Sequence, residues 1–491
     1  MLWRYNPNTK IELQRKYPVT SSNFPLSDIV KAVFESKSTA IFGDYDVDGI
    51  ASSLILKNAL DILGIQNKIF LPEREEGYGI KPVHVKQIKV EGFDTIITVD
   101  NGITAFDAAK TAKELGIKLI ITDHHEPLTH LPDAYKIFNP KLYKGKYQDY
   151  AGAGVVYLVA RELLRQKNLS VTPAMIQLAG LATVADVVPL DGNNWYIARK
   201  GLELMRKQPI KGIKEILRAA GRNHESLTGF DIGWIIAPRI NATGRLKSPQ
   251  MGLELLLYGT NAEEVEKLNK KRLELVRYYL NLVKDREDKF PVYAFRNCPR
   301  GITGLIAGRL TEKFKKPVIV SSVDSDGKAV SSARTYGDFD LVKAFEYISK
   351  HIDITFGGHK SAAGITYHVK DFKKLQNLLN KYTEENPPKE EVRDLDGILT
   401  KKPVLEEVMA FDSFEPFGYK NPEPAFLLEG TVTDVRADQN WQLITVNGEL
   451  GFFLDGLYRK GDKVKLIVSP YVKDGIVKLW VLDENPIILK S

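Results

Sequence analysis

The chain has 491 residues, 43% of them hydrophobic and 27% charged, with a formal net charge of +7. That length needs two to four cores of roughly 100–200 residues each, and the modest basic excess favours an anionic partner. The lone cysteine, Cys298, excludes an internal disulfide and a zinc site built from several thiolates, and no apolar run approaches the ~20 residues that cross a bilayer. The opening MLWRYNPNTK lacks the basic-then-apolar order of a signal peptide. The cytoplasm is the expected location, with no membrane partner.

Residues 1–190 alternate strand and helix. Short apolar runs at 39–42, 67–71, 94–99 and 117–122 read as strands, with helical patterns at 50–63 and 105–115 between them. This predicts a parallel sheet with helices on both faces, whose ligands collect beyond the carboxyl ends of the strands. Residues 261–290 are charged, free of Gly and Pro, and carry apolar residues at helical spacing. They read as one long connector helix. A second, smaller α/β pattern runs from 291 to about 385 and includes the glycine-rich FGGHKSAAG. After the proline-containing EENPPKEEVRD, five strand-like runs fill 392–491, with Asn447-Gly448 marking a hairpin. Five strands in that length suit a small barrel of the OB-fold kind.

The chemistry sits at the strand ends. Asp44, Asp46 and Asp48 follow the first strand in GDYDVDG, Asp100 ends the third in VDNG, and Asp123-His124-His125 follow the fourth. Asp186 closes the apolar segment LATVAD. Each alone fits a turn, a helix cap or a buried histidine; four at corresponding ends point to convergence. Carboxylates and imidazole without thiols suit Mn²⁺ or Mg²⁺. Two such ions about 4 Å apart serve phosphate-ester cleavage, and Asp100 lies between the other ligand segments, placed to bridge them.

The motifs GDYDVDG, VDNG, TDHH and ADVVPL resemble, in order and spacing, those of the DHH phosphoesterase superfamily. APRINATGRL, GITGLIAGRL, FGGHKSAAG and EPFGYKNPEPAF look like its RecJ-type single-strand-specific exonucleases. The resemblance implies a DHH domain over 1–260 with an N-terminal extension to about 35, a connector at 261–290, a DHHA1 domain over 291–385 and a nucleic-acid-binding barrel over 392–491. It implies two ions held by Asp44, Asp46, Asp48, Asp100, His124 and Asp186. Asp123 would orient His124, and His125 would reach the scissile phosphate, so that His125, Asp123 and Asp100 carry the catalysis. Arg239, Asn241, Arg245 and Arg309 would grip the strand, and Ser332 with Arg334 would hold its 5′ end. Gly357, Gly358 and His359 would cradle the phosphate nearest the cut. The chain departs from the family pattern at Cys298-Pro299-Arg300, at Ala333 in SSART, and at Trp441-Gln442-Leu443.

The activity implied is a 5′-to-3′ exonuclease on single-stranded DNA that releases 5′-mononucleotides in repair and recombination. The protein would be a monomer, with a single-strand-binding protein or a helicase as protein partner. Trp441, Phe452, Phe453, Tyr458 and Trp480 are stacking candidates, and loss of 392–491 should weaken long-strand binding more than hydrolysis of very short substrates. Two alternatives stand beside this. One is a phosphodiesterase for short oligonucleotides or cyclic dinucleotides, which would lack the connector and the barrel. The other is an inactive replication scaffold, which would have lost ligands.

Overall fold

The computed structural model describes residues 2–5, 17–18, 23–390, 392–437, 442–448, 450–454, 458–473, 475–483 and 487–490. It divides into two compact units. One comprises 17–279 with 416–421, and the other 1–16, 280–415 and 422–491.

The first unit is built on a five-stranded parallel sheet: β1 (Ser38–Phe42), β2 (Gln66–Phe70), β3 (Thr95–Val99), β4 (Lys118–Thr122) and β5 (Lys136–Phe138). Every residue of TIITV in β3 is buried, as suits a parallel strand covered on both faces. The lateral order is β2-β1-β3-β4-β5. Winding therefore reverses between β1 and β3, and in this topology the crevice beyond those two carboxyl ends is the ligand site. GDYDVDG leaves β1 at that point and VDNG leaves β3. The helix Val47–Ile62 buries most of its length in the main core, against the helices Gly152–Arg165 and Pro173–Ala185.

The connector is shorter than its sequence pattern. The helix Ala262–Asn281 stops nine residues before 290. Beyond it Val283 is buried and the Lys284 carbonyl accepts from the Tyr293 hydroxyl at 2.9 Å. The Arg286 guanidinium lies 4.9 Å over the Tyr293 ring. The Tyr293 hydroxyl thus takes a carbonyl that a longer helix would have used within itself.

In the second unit, Val292–Arg296 pairs parallel with Val318–Val323. Lys328–Arg334, Ala362–His368 and Thr355–Gly358 continue that sheet antiparallel. Its core gathers Phe290, Phe345, Ile365 and Leu375. The C-terminal strands Leu450–Leu454, Gln442–Val446, Phe426–Ala437, Lys463–Lys473 and Ile476–Asp483 form one antiparallel sheet, with Gly397–Leu399 added along Phe426–Ala437. Asn447 and Gly448 both take positive φ, 55° and 80°, as the hairpin signal predicts. The expected barrel strands are present, but among the described residues no ladder joins Leu450–Leu454 to Ile476–Asp483.

Candidate metal centre

Asp46 caps the helix Val47–Ile62, its Oδ1 accepting from the backbone of Asp48 (3.0 Å) and Gly49 (3.1 Å). Gly49 is required by crowding, since a Cβ there would lie 2.4 Å from the Asp44 nitrogen. Asp48 is buried, and its carboxylate receives two N–H donors from a second helix start: Gly152 N on Oδ2 and Ala153 N on Oδ1, both at 2.7 Å. These donors and the helix dipole pre-orient the carboxylate.

Asp100 adopts φ 64°, a left-handed conformation that Asp tolerates better than most residues. That bend turns its carboxylate back towards the end of β1. His124 Nε2 lies 3.1 Å from Asp100 Oδ1 and 3.8 Å from both Asp48 Oδ2 and Asp186 Oδ2. Asp186 ends the helix Pro173–Ala185 as its C-cap, so the fourth segment arrives from a helix end rather than a strand end.

Two ligand sets emerge, linked by a third grouping. Asp48, His124 and Asp186 offer atoms within 4.8 Å of one another, and so do Asp44, Asp46 and Asp100. Asp100 also groups with His124 and His125 at the same limit, linking the sets. The donor chemistry fits divalent cations. Burial, then the charge of His125, drives the His124 pKa down to about 3, leaving the ring neutral. A neutral imidazole can offer a ring nitrogen's lone pair to a cation beside Asp100. The Oδ1 atoms of Asp44 and Asp100 are buried with no hydrogen-bond partner. Buried carboxylate oxygens without a donor are costly, and bound cations would remove that cost.

Burial first and neighbouring carboxylates second raise the pKa of Asp44, Asp100 and Asp186, and bring Asp48 up to about 7 from 3.8. A carboxyl raised in the fold contributes stability that is full below its unfolded pKa and is lost as pH rises through the folded one. The metal-free protein is thus expected to melt at falling temperature between about pH 4 and 7. Asp48→Asn should flatten part of that slope and Mn²⁺ should reverse it. Melting curves in chelator and in Mn²⁺ measure this; equal slopes for parent and variant would contradict it.

The structure revises the role of Asp123. Its Oδ1 accepts from the His124 backbone (2.7 Å), the His125 backbone (3.1 Å) and His125 Nδ1 (2.8 Å), and its Oδ2 from Ile103 N (2.9 Å). It therefore orients the ring of His125; the His124 ring is bonded by the Tyr150 backbone. Burial alone would lower the His125 pKa, but Asp123 lifts it above the ordinary value. The Tyr78 hydroxyl, which the sequence did not single out, bridges the His125 ring (2.9 Å) and the Asp100 carbonyl (3.0 Å).

The arginine motif is also reassigned. Arg239 is buried, its Nε 2.6 Å from Glu266 and its Nη1 on the Ile235 carbonyl at 2.8 Å, so it is spent on the core rather than on a strand. Asn241 Oδ1 accepts from Val47 N at 3.0 Å and thereby holds the metal loop. Arg245 is half-buried near the Tyr45 phenol. Arg74, also missed, packs over Tyr45 at 3.9 Å and donates to the Gly244 carbonyl at 3.0 Å. A Cβ at Gly244 would lie 2.3 Å from the Tyr45 carbonyl oxygen.

Within the second unit, Ser332 Oγ meets Thr303 Oγ1 at 2.9 Å. Arg334 lies beside it, its pKa lowered by burial, and a Cβ at Gly304 would crowd its Nη2 at 2.9 Å. Arg309 is exposed, 3.9 Å from Glu312. Gly357, Gly358 and His359 are exposed at a strand turn. Phe452 is core, Tyr458 half-buried and Trp480 62% exposed. Trp441 and the side chain of Phe453 lie outside the described residues.

Residues 38–184 match the DHH family, N-terminal domain, and 288–385 the DHHA1 domain. The single-stranded-DNA-specific exonuclease RecJ of Bacillus subtilis is 34% identical over 431 residues, covering 83% of this chain and 54% of that protein. The RecJ of Haemophilus influenzae is 32% identical over 449 residues, covering 83% and 78%. The crystal structure of Thermus thermophilus RecJ in complex with Mn²⁺ matches with a TM-score of 0.82 at 26% identity, over 94% of this chain and 72% of that one. Among the described residues no helix is long and apolar enough to cross a membrane.

Proposed function

Because the chain belongs to the RecJ exonuclease family, we propose that it degrades single-stranded DNA from the 5′ end and releases 5′-mononucleotides, by metal-dependent phosphodiester hydrolysis in the cytoplasm. The observation that carries this reading is the pair of ligand sets meeting at Asp100 and His124, with buried carboxylate oxygens lacking any donor. Asp48, His124 and Asp186 would hold one divalent ion, and Asp44, Asp46 and Asp100 the other. Bound ions supply a water of lowered pKa and positive charge opposite the phosphoryl oxygens.

The remaining steps belong to side chains. His125, held by Asp123 and Tyr78, presents a ring whose raised pKa suits contact with a phosphate. The N–H groups of Gly152 and Ala153 fix the Asp48 carboxylate, which would serve as a ligand. Ser332 and Arg334 suit the 5′ end, Gly357 to His359 the adjacent phosphate, and Arg245 and Arg309 more of the strand. The same reading assigns the DHH domain to 1–260, the DHHA1 domain to 291–385 and nucleic-acid binding to 392–491, with the connector helix ending at Asn281. Removing the ions with a chelator is expected to abolish cleavage and leave strand binding largely in place, with Mn²⁺ restoring activity. Full cleavage in chelator would remove the reading.

Trp480 projects from Ile476–Asp483 with most of its surface in solvent, and an exposed indole on a strand suits base stacking, worth about 1–3 kcal/mol per base. Trp480→Ala is expected to weaken binding of long strands by roughly tenfold with hydrolysis of dinucleotides unchanged. Fluorescence anisotropy and a dinucleotide assay separate the two effects; equal losses in both would contradict the stacking role.

A further inference from the structure

The turn that carries Asp186 is held by a segment far away in sequence. Residues 416–421 belong to the same compact unit as the metal ligands, while Glu415 and Pro422 on either side belong to the other. The segment closes on itself through Gly418 N to the Asn421 carbonyl (2.8 Å) and Asn421 N to the Gly418 carbonyl (3.1 Å). Asn421 is 1% exposed; its amide donates to the Pro416 carbonyl (2.8 Å) and its Oδ1 accepts from the Tyr17 hydroxyl (2.8 Å). The Tyr17 ring in turn stacks on Trp195 at 4.0 Å.

This closed segment grips the 186–191 turn. Leu190 N donates to the Tyr419 carbonyl at 2.7 Å, and Gly418 packs so closely that a Cβ would lie 2.7 Å from Leu190 Cδ1. The turn needs such support. Val187, next to Asp186, sits at φ 58°, which a β-branched residue avoids, and it is 65% exposed. Strained backbone persists only where its surroundings impose it. The contacts to Tyr419 and Gly418 join those of Asn194 and Tyr147 to the Pro189 carbonyl (3.0 and 3.5 Å) in doing so.

We propose that residues 416–421 are a clip that fixes the 186–191 turn and so positions Asp186, making a complete metal site dependent on the C-terminal part of the chain. The proposal rests on the metal-centre reading above. Loss of 392–491 would then impair hydrolysis of the shortest substrates as well, contrary to the expectation from sequence.

The test uses the 491-residue chain and Mn²⁺ alone as probe. Asn421→Ala removes the closing amide, and Gly418→Val presses on Leu190. Calorimetric titration is expected to show Mn²⁺ binding weakened 10- to 100-fold for at least one ion, the range for residues supporting a metal ligand. The metal-free melting temperature of at least one of the two variants should stay near that of the parent, a combination that general destabilisation does not give. Unchanged Mn²⁺ affinity in both folded variants would overturn the clip. Affinity is read without substrate, so failure of the exonuclease reading, seen as absence of cleavage by the parent, registers separately.

Discussion

Asp100→Ala is expected to reduce cleavage of single-stranded DNA by on the order of 10³–10⁵-fold, the scale seen when one member of a cooperating catalytic set is removed. Asp100 joins the two ligand sets: it groups with Asp44 and Asp46, and its Oδ1 lies 3.1 Å from His124 of the other set. Removing it takes a ligand from one set and removes the carboxylate oxygen 3.1 Å from His124 Nε2 in the other. The strand-gripping residues assigned to the second unit are untouched, so metal-free strand binding should stay within a few-fold of the parent. Single-turnover rates and anisotropy test this directly. A variant that keeps a tenth of the parent rate would show that Asp100 is peripheral.

Gly152→Ala should be nearly as damaging, although the residue ligates nothing. A Cβ there would lie 2.6 Å from the Cβ and Oδ1 of Asp100 and 2.8 Å from its Cγ, well inside contact distance. Asp100 has little room to yield, because it is buried and its nitrogen is bonded to the Thr122 carbonyl at 3.1 Å. Nor can the helix start withdraw freely, since Gly152 N and Ala153 N hold Asp48. Overpacking of this kind costs about 1–3 kcal/mol of stability, and a displacement near 1 Å at a reacting centre costs on the order of 10²-fold in rate. The variant should therefore fold, melt lower, bind Mn²⁺ weakly and cleave slowly. Parent-like Mn²⁺ affinity would show that the space beside Asp100 is not needed.

The site was legible where local signals coincide with topology. The apolar runs before Asp44, Asp100 and Asp123 announce buried parallel strands, and a parallel sheet sends the residues after them to one edge. Asp186 was less legible as a converging ligand, because it reaches that edge from a helix. What sequence left hidden depends on long-range pairing. Nothing local shows that Gly152 supplies a donor to Asp48, that Glu266 claims Arg239, or that Asp123 turns to His125 rather than His124. The end of the connector helix was hidden for the same reason, since Lys284 and Arg286 leave helical pairing for Tyr293. EPFGYKNPEPAF could be matched to a family pattern, but its contact with the Asp186 turn exists only in the fold.

The measurement that tests the central claim most directly is digestion of one long DNA oligonucleotide in Mn²⁺, labelled at either end and supplied single-stranded or annealed. The account predicts stepwise release of mononucleotides from the 5′ end of the single strand and protection of the duplex. An untouched long strand beside rapidly hydrolysed dinucleotides would contradict it and mark a short-oligonucleotide phosphodiesterase; no cleavage of either would contradict it in favour of an inactive scaffold.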